Sequence, residues 1–264
     1  MILAPLRDVA HAWPVGTVAA VFLFGLAIGS FLNVVIARVP EGKSLWRPRS
    51  ACPGCGSAIA WYDNVPVLSF VLLRGRCRAC RMPISWRYPI VELVTASILA
   101  LAYVVFGPTA ELVVAGILLT ALVAIAAIDL QHQLIPDAIT LPGILVGFAA
   151  NLATGRVAWL ECVVGILLGG GMFLVIILVS GGGMGGGDMK LGAMLGAFLG
   201  WKALLFTLFS AVVLGGVVAI ALLASGRRGR KDPIPFGPFL ALAGAMGLFW
   251  GERVVTWYVA GFGR

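Results

Sequence analysis

Apolar stretches long enough to cross a bilayer recur along the whole of these 264 residues, and that recurrence restricts the fold more than any other feature. They run at about 15–37, 88–106, 110–128, 138–152, 157–179, 188–200, 201–224 and 236–259. A spanning helix needs roughly 20 mostly apolar residues. The expected fold is therefore an all-α polytopic membrane protein of about eight transmembrane helices, the sixth short and running into the seventh almost without a break. Apolar residues make up 61% of the chain and charged residues 11%, against ~45–50% and ~25% in soluble domains. A soluble globular enzyme, a secreted disulfide scaffold and a disordered tail are excluded.

The charges that remain are unevenly spread. Of 19 basic residues, nine lie from Arg38 to Arg87, four from Arg227 to Lys231, and Lys190 begins the sixth run. Arg7, Arg156, Lys202, Arg253 and Arg264 stand alone. By the positive-inside rule the first long loop is cytoplasmic, and alternation puts the 129–137, 180–190 and 225–235 connections on the same side. Both termini then face out. The net charge of +8 is thereby assigned to topology and to anionic lipid heads, with no need for nucleic acid. The first run has no basic region before it beyond Arg7, and a basic flank follows it, so it reads as a retained anchor and not a cleaved leader. The 35 glycines fit close helix packing, as at Gly169, Gly170 and Gly171.

Three regions follow: residues 1–37 with the first span, a soluble loop at 38–87, and a seven-helix membrane domain at 88–264. The loop holds four of the five cysteines, Cys52-Pro-Gly-Cys55 and Cys77-Arg-Ala-Cys80, with 21 residues between the pairs. Paired CxxC turns are the spacing that closes four thiolates on one tetrahedral zinc ion. Disulfides are disfavoured in the reducing cytoplasm, and a loop this small builds little core, so a structural metal would be its main source of order. Two thiol pairs without metal are the alternative. Cys162, placed mid-span, reads as a small apolar core residue.

Ionisable residues at membrane depth are functional candidates, because charge is costly there. Asp129 ends the third run and Asp188 begins the sixth, after Gly185-Gly186-Gly187. The topology above puts both at one membrane face. Two carboxylates brought together share a proton and titrate as a pair. One can then take a proton from water while the other, protonated, polarises a carbonyl. The helix start beside Asp188 would favour its ionised form, leaving the proton to Asp129. The plainer readings are an N-cap for Asp188 or Asp137, a snorkelling interface lysine for Lys190, a loop position for His132, and for Glu92 a cap or a pairing with a loop arginine. Residues alone thus leave open an aspartate-dependent peptidase, a proton- or ion-coupled transporter, and a zinc-ordered secretion scaffold.

Five segments together resemble the type IV prepilin peptidase family. They are Gly29-Ser-Phe-Leu-Asn33 through Arg38-Val-Pro40, the four cysteines with Leu73-Arg-Gly75-Arg-Cys77, Arg87-Tyr-Pro-Ile-Val-Glu92-Leu, Ile128-Asp129 through Asp137, and Gly185-Gly-Gly187-Asp188-Met-Lys190. They occur in the family's order over about residues 16–200. The resemblance implies that Asp129 and Asp188 are the catalytic aspartates and that Asp137 supports or caps. It implies prepilin or pseudopilin substrates that carry a short basic leader, cut at the cytoplasmic face of the inner membrane after a glycine that precedes a hydrophobic helix. It further implies N-methylation of the new N-terminus with S-adenosylmethionine, to which Gly75 is tied. No separate methyl-donor motif is present.

Overall fold

The computed structural model describes residues 14–181, 184–226 and 234–262. The basic cluster from Arg227 to Lys231, with Arg7 and Arg264, lies outside the described residues. Helices dominate, and among the described residues the only β pairings are two isolated bridges in the loop. The elements are α1 (Val15–Arg38), α2 (Leu68–Leu72), α3 (Arg87–Phe106), α4 (Ala110–His132), α5 (Asp137–Thr154), α6 (Trp159–Val179), α7 (Gly186–Ala224), α8 (Gly237–Met246) and α9 (Glu252–Phe262), with one π-helical turn, Gly247–Gly251, joining the last two.

Seven of the described helices are long and apolar enough to cross a membrane, counting α8 to α9 as one. The expected sixth and seventh runs are a single helix, α7, of 39 residues. At 1.5 Å per residue it would be ~58 Å long, about twice the ~30 Å hydrocarbon core. It is divided at Gly200, whose φ of 71° and ψ of 168° are not helical and which only glycine adopts freely.

The chain forms two compact units, 1–124 and 125–264, the boundary falling within α4. In the first, α1 and α3 pack antiparallel along a seam of small residues. A Cβ on Gly25 would lie 2.7 Å from the Ala96 Cα, and one on Gly29 2.6 Å from the Glu92 Cα. Asn33, one turn further, donates its side-chain amide to the Tyr88 carbonyl at 3.1 Å. Four residues forward on one helix match four back on the other. The spacing is the small-xxx-small pattern by which membrane helices approach closely.

The second unit repeats the device. On α6, Gly165 and Gly169 face Gly196 and Gly192 of α7, and a Cβ on any of the four would meet backbone or ring atoms of the partner helix. The packing glycines are thus Gly165 and Gly169 more than the 169–171 run singled out in the sequence. Asn151 of α5, fully buried, donates to the carbonyls of Ala197 at 2.8 Å and Phe198 at 2.9 Å. In an unbroken helix those carbonyls would accept from the amides of Trp201 and Lys202, which lie beyond the break. Asn151 therefore supplies donors where the Gly200 kink removes them. Cys162 is fully buried as expected, but it sits in the first turn of α6 and not mid-span.

Candidate active site

Asp129 lies in the last turn of α4, which extends past the predicted end at 128 to His132. The carboxylate is buried and its Oδ2 accepts the backbone N–H of Gly237, the first residue of α8, at 2.9 Å. A side chain on Gly237 would bring its Cβ within 2.6 Å of that oxygen. Asp188 is the third residue of α7. It too is buried, and its Oδ1 has no hydrogen-bond partner among the described residues. Its own amide donates to the Gly185 carbonyl at 3.2 Å, so the glycine and not the aspartate caps the helix.

Ile135, in the link between α4 and α5, packs against the residues next to both aspartates. Its side chain stands 2.8 Å from where a Gly187 Cβ would be and 3.2 Å from a Gly237 Cβ. Asp188 follows Gly187 in the chain and Asp129 accepts from Gly237, so the two glycines that meet Ile135 are the immediate neighbours of the two carboxylates. Each sits at a helix N-terminus, Asp188 in the first turn of α7 and Asp129 against that of α8, so the helix-end argument does not single out Asp129 as the proton carrier.

Asp137 departs from the expected cap. It is the first residue of α5, Pro136 occupies the cap position, and no side-chain cap bond forms. Both its oxygens instead accept from Lys190 Nζ at 2.7 Å. Lys190, expected to snorkel, thereby ties the residue that opens α5 to the first turn of α7. The sequence included Ile135 only as part of the 128–137 segment, and it did not mark Gly237. The helix-start dipeptide Gly237-Pro238 was its only trace, and nothing in it points to a partner 108 residues away.

The loop of the first unit is built from two matching turns. Ala51 bridges Ala58 and Arg76 bridges Pro83. The Cys52 amide donates to the Ser57 carbonyl at 2.9 Å, and the Cys77 amide to Met82 at 2.8 Å. The residue after each second cysteine has positive φ, Gly56 at 70° and Arg81 at 63°. The four sulfurs lie within 4.8 Å of one another, with Cys52 and Cys80 3.7 Å apart. Sulfurs 2.3 Å from a tetrahedral zinc are ~3.8 Å apart, so the set fits that ion. The hydroxyl and amide of Ser57 lower the Cys55 thiol to about 6, and the amides of Cys80 and Ala79 lower Cys77. These two shifts favour the thiolate that binds metal, whereas burial and the three neighbouring thiols push Cys80 up to about 11.

Each acidic residue of this region is engaged. Glu41 pairs with Lys43. Asp63 accepts two bonds from Arg78, at 2.6 and 2.8 Å, and this guanidinium holds its carboxyl below the usual range. Among the described residues Glu92 neither caps nor pairs with an arginine, and it accepts the Val67 N–H at 2.8 Å. Gly75 follows α2 with a φ of 66°, and a Cβ there would come 3.1 Å from the Phe70 ring.

Residues 23–106 match the bacterial peptidase A24 N-terminal domain and residues 116–220 match the type IV leader peptidase family. The chain is 48% identical over 82% of its length to a prepilin leader peptidase/N-methyltransferase of Myxococcus xanthus, covering 67% of that protein. A protein of the same name from Aeromonas hydrophila is 39% identical over 98% of this chain and all of the relative. One from Burkholderia pseudomallei is 41% identical over 91% and 88%. No solved structure matches the chain. The first match spans the cysteine turns and the α1–α3 seam, the second spans both buried aspartates, and with relatives aligned from end to end the chain belongs to the type IV leader peptidase family.

Proposed function

We propose that the protein is a membrane aspartyl endopeptidase that removes the leader from prepilins or pseudopilins and N-methylates the residue it exposes. The observation that carries the reading is the pair of buried carboxylates, Asp129 and Asp188, each beside a glycine that Ile135 packs against, in a chain of this family. Two buried carboxylates that act together share one proton between them. The ionised carboxylate takes a proton from water as the water attacks the scissile carbonyl, and the protonated partner polarises that carbonyl. A tetrahedral intermediate forms, and as its C–N bond breaks the carboxylate that took the proton from water returns it to the leaving amine, with no covalent acyl-enzyme. The Gly237 amide keeps Asp129 oriented throughout, and the unpaired Asp188 Oδ1 is free to bond water or substrate.

The basic loop and the connections bearing both aspartates face the cytoplasm of a bacterial inner membrane. A leader that stays in the cytoplasm, followed by a membrane helix, then presents its scissile bond at the right depth. Cys52, Cys55, Cys77 and Cys80 would hold structural zinc, ordering 38–87 as a domain inserted between α1 and the rest of the membrane helices. For the second activity, S-adenosylmethionine supplies the methyl group as a sulfonium, and Gly75 belongs to that function by resemblance. No observation favours a transporter or a scaffold.

The test is reconstitution in liposomes with a full-length prepilin and S-adenosylmethionine, read by mass spectrometry of the product. Cleavage at the leader junction with one added methyl is the expected result. An intact prepilin after prolonged incubation with folded protein would overturn the peptidase reading.

A further inference from the structure

The α1–α3 seam encloses a carboxylate that the cleavage chemistry leaves unused. Glu92 is 7% exposed on a helix apolar and long enough to span a bilayer. It bonds the Val67 amide at 2.8 Å, a neutral donor. An ionisable group at such depth marks a place where an ion or substrate is met. One turn along the seam, Asn33 is 3% exposed, and while its amide nitrogen bonds the Tyr88 carbonyl its Oδ1 accepts nothing. Buried acceptors left without a donor are uncommon. The seam thus carries two buried acceptors on facing helices, the Asn33 Oδ1 and the anionic Glu92. A primary ammonium, with three donors and one positive charge in a small volume, complements such a set.

We infer that Glu92 and Asn33 form the binding site for the α-ammonium of the mature pilin, and that Glu92 takes its proton ahead of N-methylation. The inference rests on the second activity proposed above. Val67, held by Glu92, immediately precedes the five-residue helix α2, and Gly75 is the third residue after that helix ends. A single short element therefore links this carboxylate to the glycine associated with methylation.

An α-amine has a pKa near 7.7–8.0 and is mostly protonated at neutral pH, so a base is required before it can act as a nucleophile. The proton passes from the ammonium to the Glu92 carboxylate, leaving a neutral amine and a carboxylic acid. The amine lone pair then forms a bond to the methyl carbon of the sulfonium donor as the carbon–sulfur bond breaks, its electron pair staying on sulfur. The products are a methylated ammonium and a neutral thioether, and charge is conserved. Glu92 returns its proton to water.

The experiment uses full-length protein in nanodiscs. Without methyl donor, it is titrated with a short fluorescent peptide that begins at the pilin cleavage point, and with the same peptide N-acetylated. The wild type is expected to prefer the free amine by about tenfold, the scale of a bond to a charged group, and Glu92→Gln to lose that preference. With S-adenosylmethionine added, Glu92→Gln methylates the free peptide at least about tenfold more slowly at about pH 6.5. The deficit shrinks toward about pH 9, where the amine sheds its proton unaided. Equal binding of the two peptides by the wild type overturns the inference, whether or not the variant folds. A Glu92→Gln deficit independent of pH also overturns it, because loss of a loop anchor behaves that way. A wild type that prefers the free amine but adds no methyl group supports the site and removes the second activity, so the two failures are distinguishable.

Discussion

Lys190 meets both carboxylate oxygens of Asp137 at 2.7 Å, and Asp188 stands two residues before that lysine. The pair links the start of α5 to the start of α7. Its side chains are 30% and 55% exposed, and solvent-exposed ion pairs contribute only ~0–1 kcal/mol. Positioning worth that little changes a rate by about fivefold at most. Lys190→Ala and Asp137→Asn are therefore expected to keep cleavage within about fivefold of wild type in a prepilin assay. Complete loss in Asp137→Asn would place that residue in the chemistry and contradict its role as an ion-pair partner.

The two cysteine turns differ where Gly56 in one matches Arg81 in the other, both at positive φ. A side chain in that conformation costs about 1–2 kcal/mol. Arg81→Gly should stabilise the loop, and Gly56→Arg should weaken it by a similar amount. Thermal unfolding of the zinc-loaded protein reads both, and a lower midpoint for Arg81→Gly would contradict the matched-turn geometry. Cys52→Ser and Cys77→Ser are each expected to lose the bound zinc in metal analysis.

Asn151 supplies the donors at the α7 break. Removing them leaves buried carbonyls unsatisfied, at a cost of about 1–3 kcal/mol. Asn151→Leu, close in size, should lower the unfolding midpoint in detergent clearly, whereas an unchanged midpoint would show that the carbonyls find other donors.

The α1–α3 seam makes a sharper contrast. Gly29 has the Glu92 backbone against it, while nothing lies within 4 Å of a Cβ placed on Gly16 of the same helix. Gly29→Val should destabilise by at least about 1–3 kcal/mol through overpacking, and Gly16→Ala should be neutral or stabilising by up to ~1 kcal/mol. Similar unfolding midpoints for the two variants would argue against close helix contact at Gly29.

The spans, the cysteine turns and both aspartates could be read from the sequence, because each depends on local spacing or on hydropathy summed over a window. The partners could not. Gly237 reaches Asp129 across 108 residues, and no periodicity relates them. Asp137 was misassigned for a related reason: its place before a helix suggested a cap, whereas its partner, Lys190, lies 53 residues on. The kink at Gly200 was visible only as two runs too close together, since a glycine among apolar residues looks the same in a straight helix as in a broken one. Asn151 gave no indication that it served that break.

The most direct test of the central claim is prepilin cleavage by Asp129→Asn and by Asp188→Asn, each reconstituted and shown to unfold at the wild-type midpoint. Either substitution removes a group that must carry or accept a proton, so each should slow cleavage by at least about 10²-fold. Cleavage at the wild-type rate by either variant contradicts the aspartate pair as the catalytic centre.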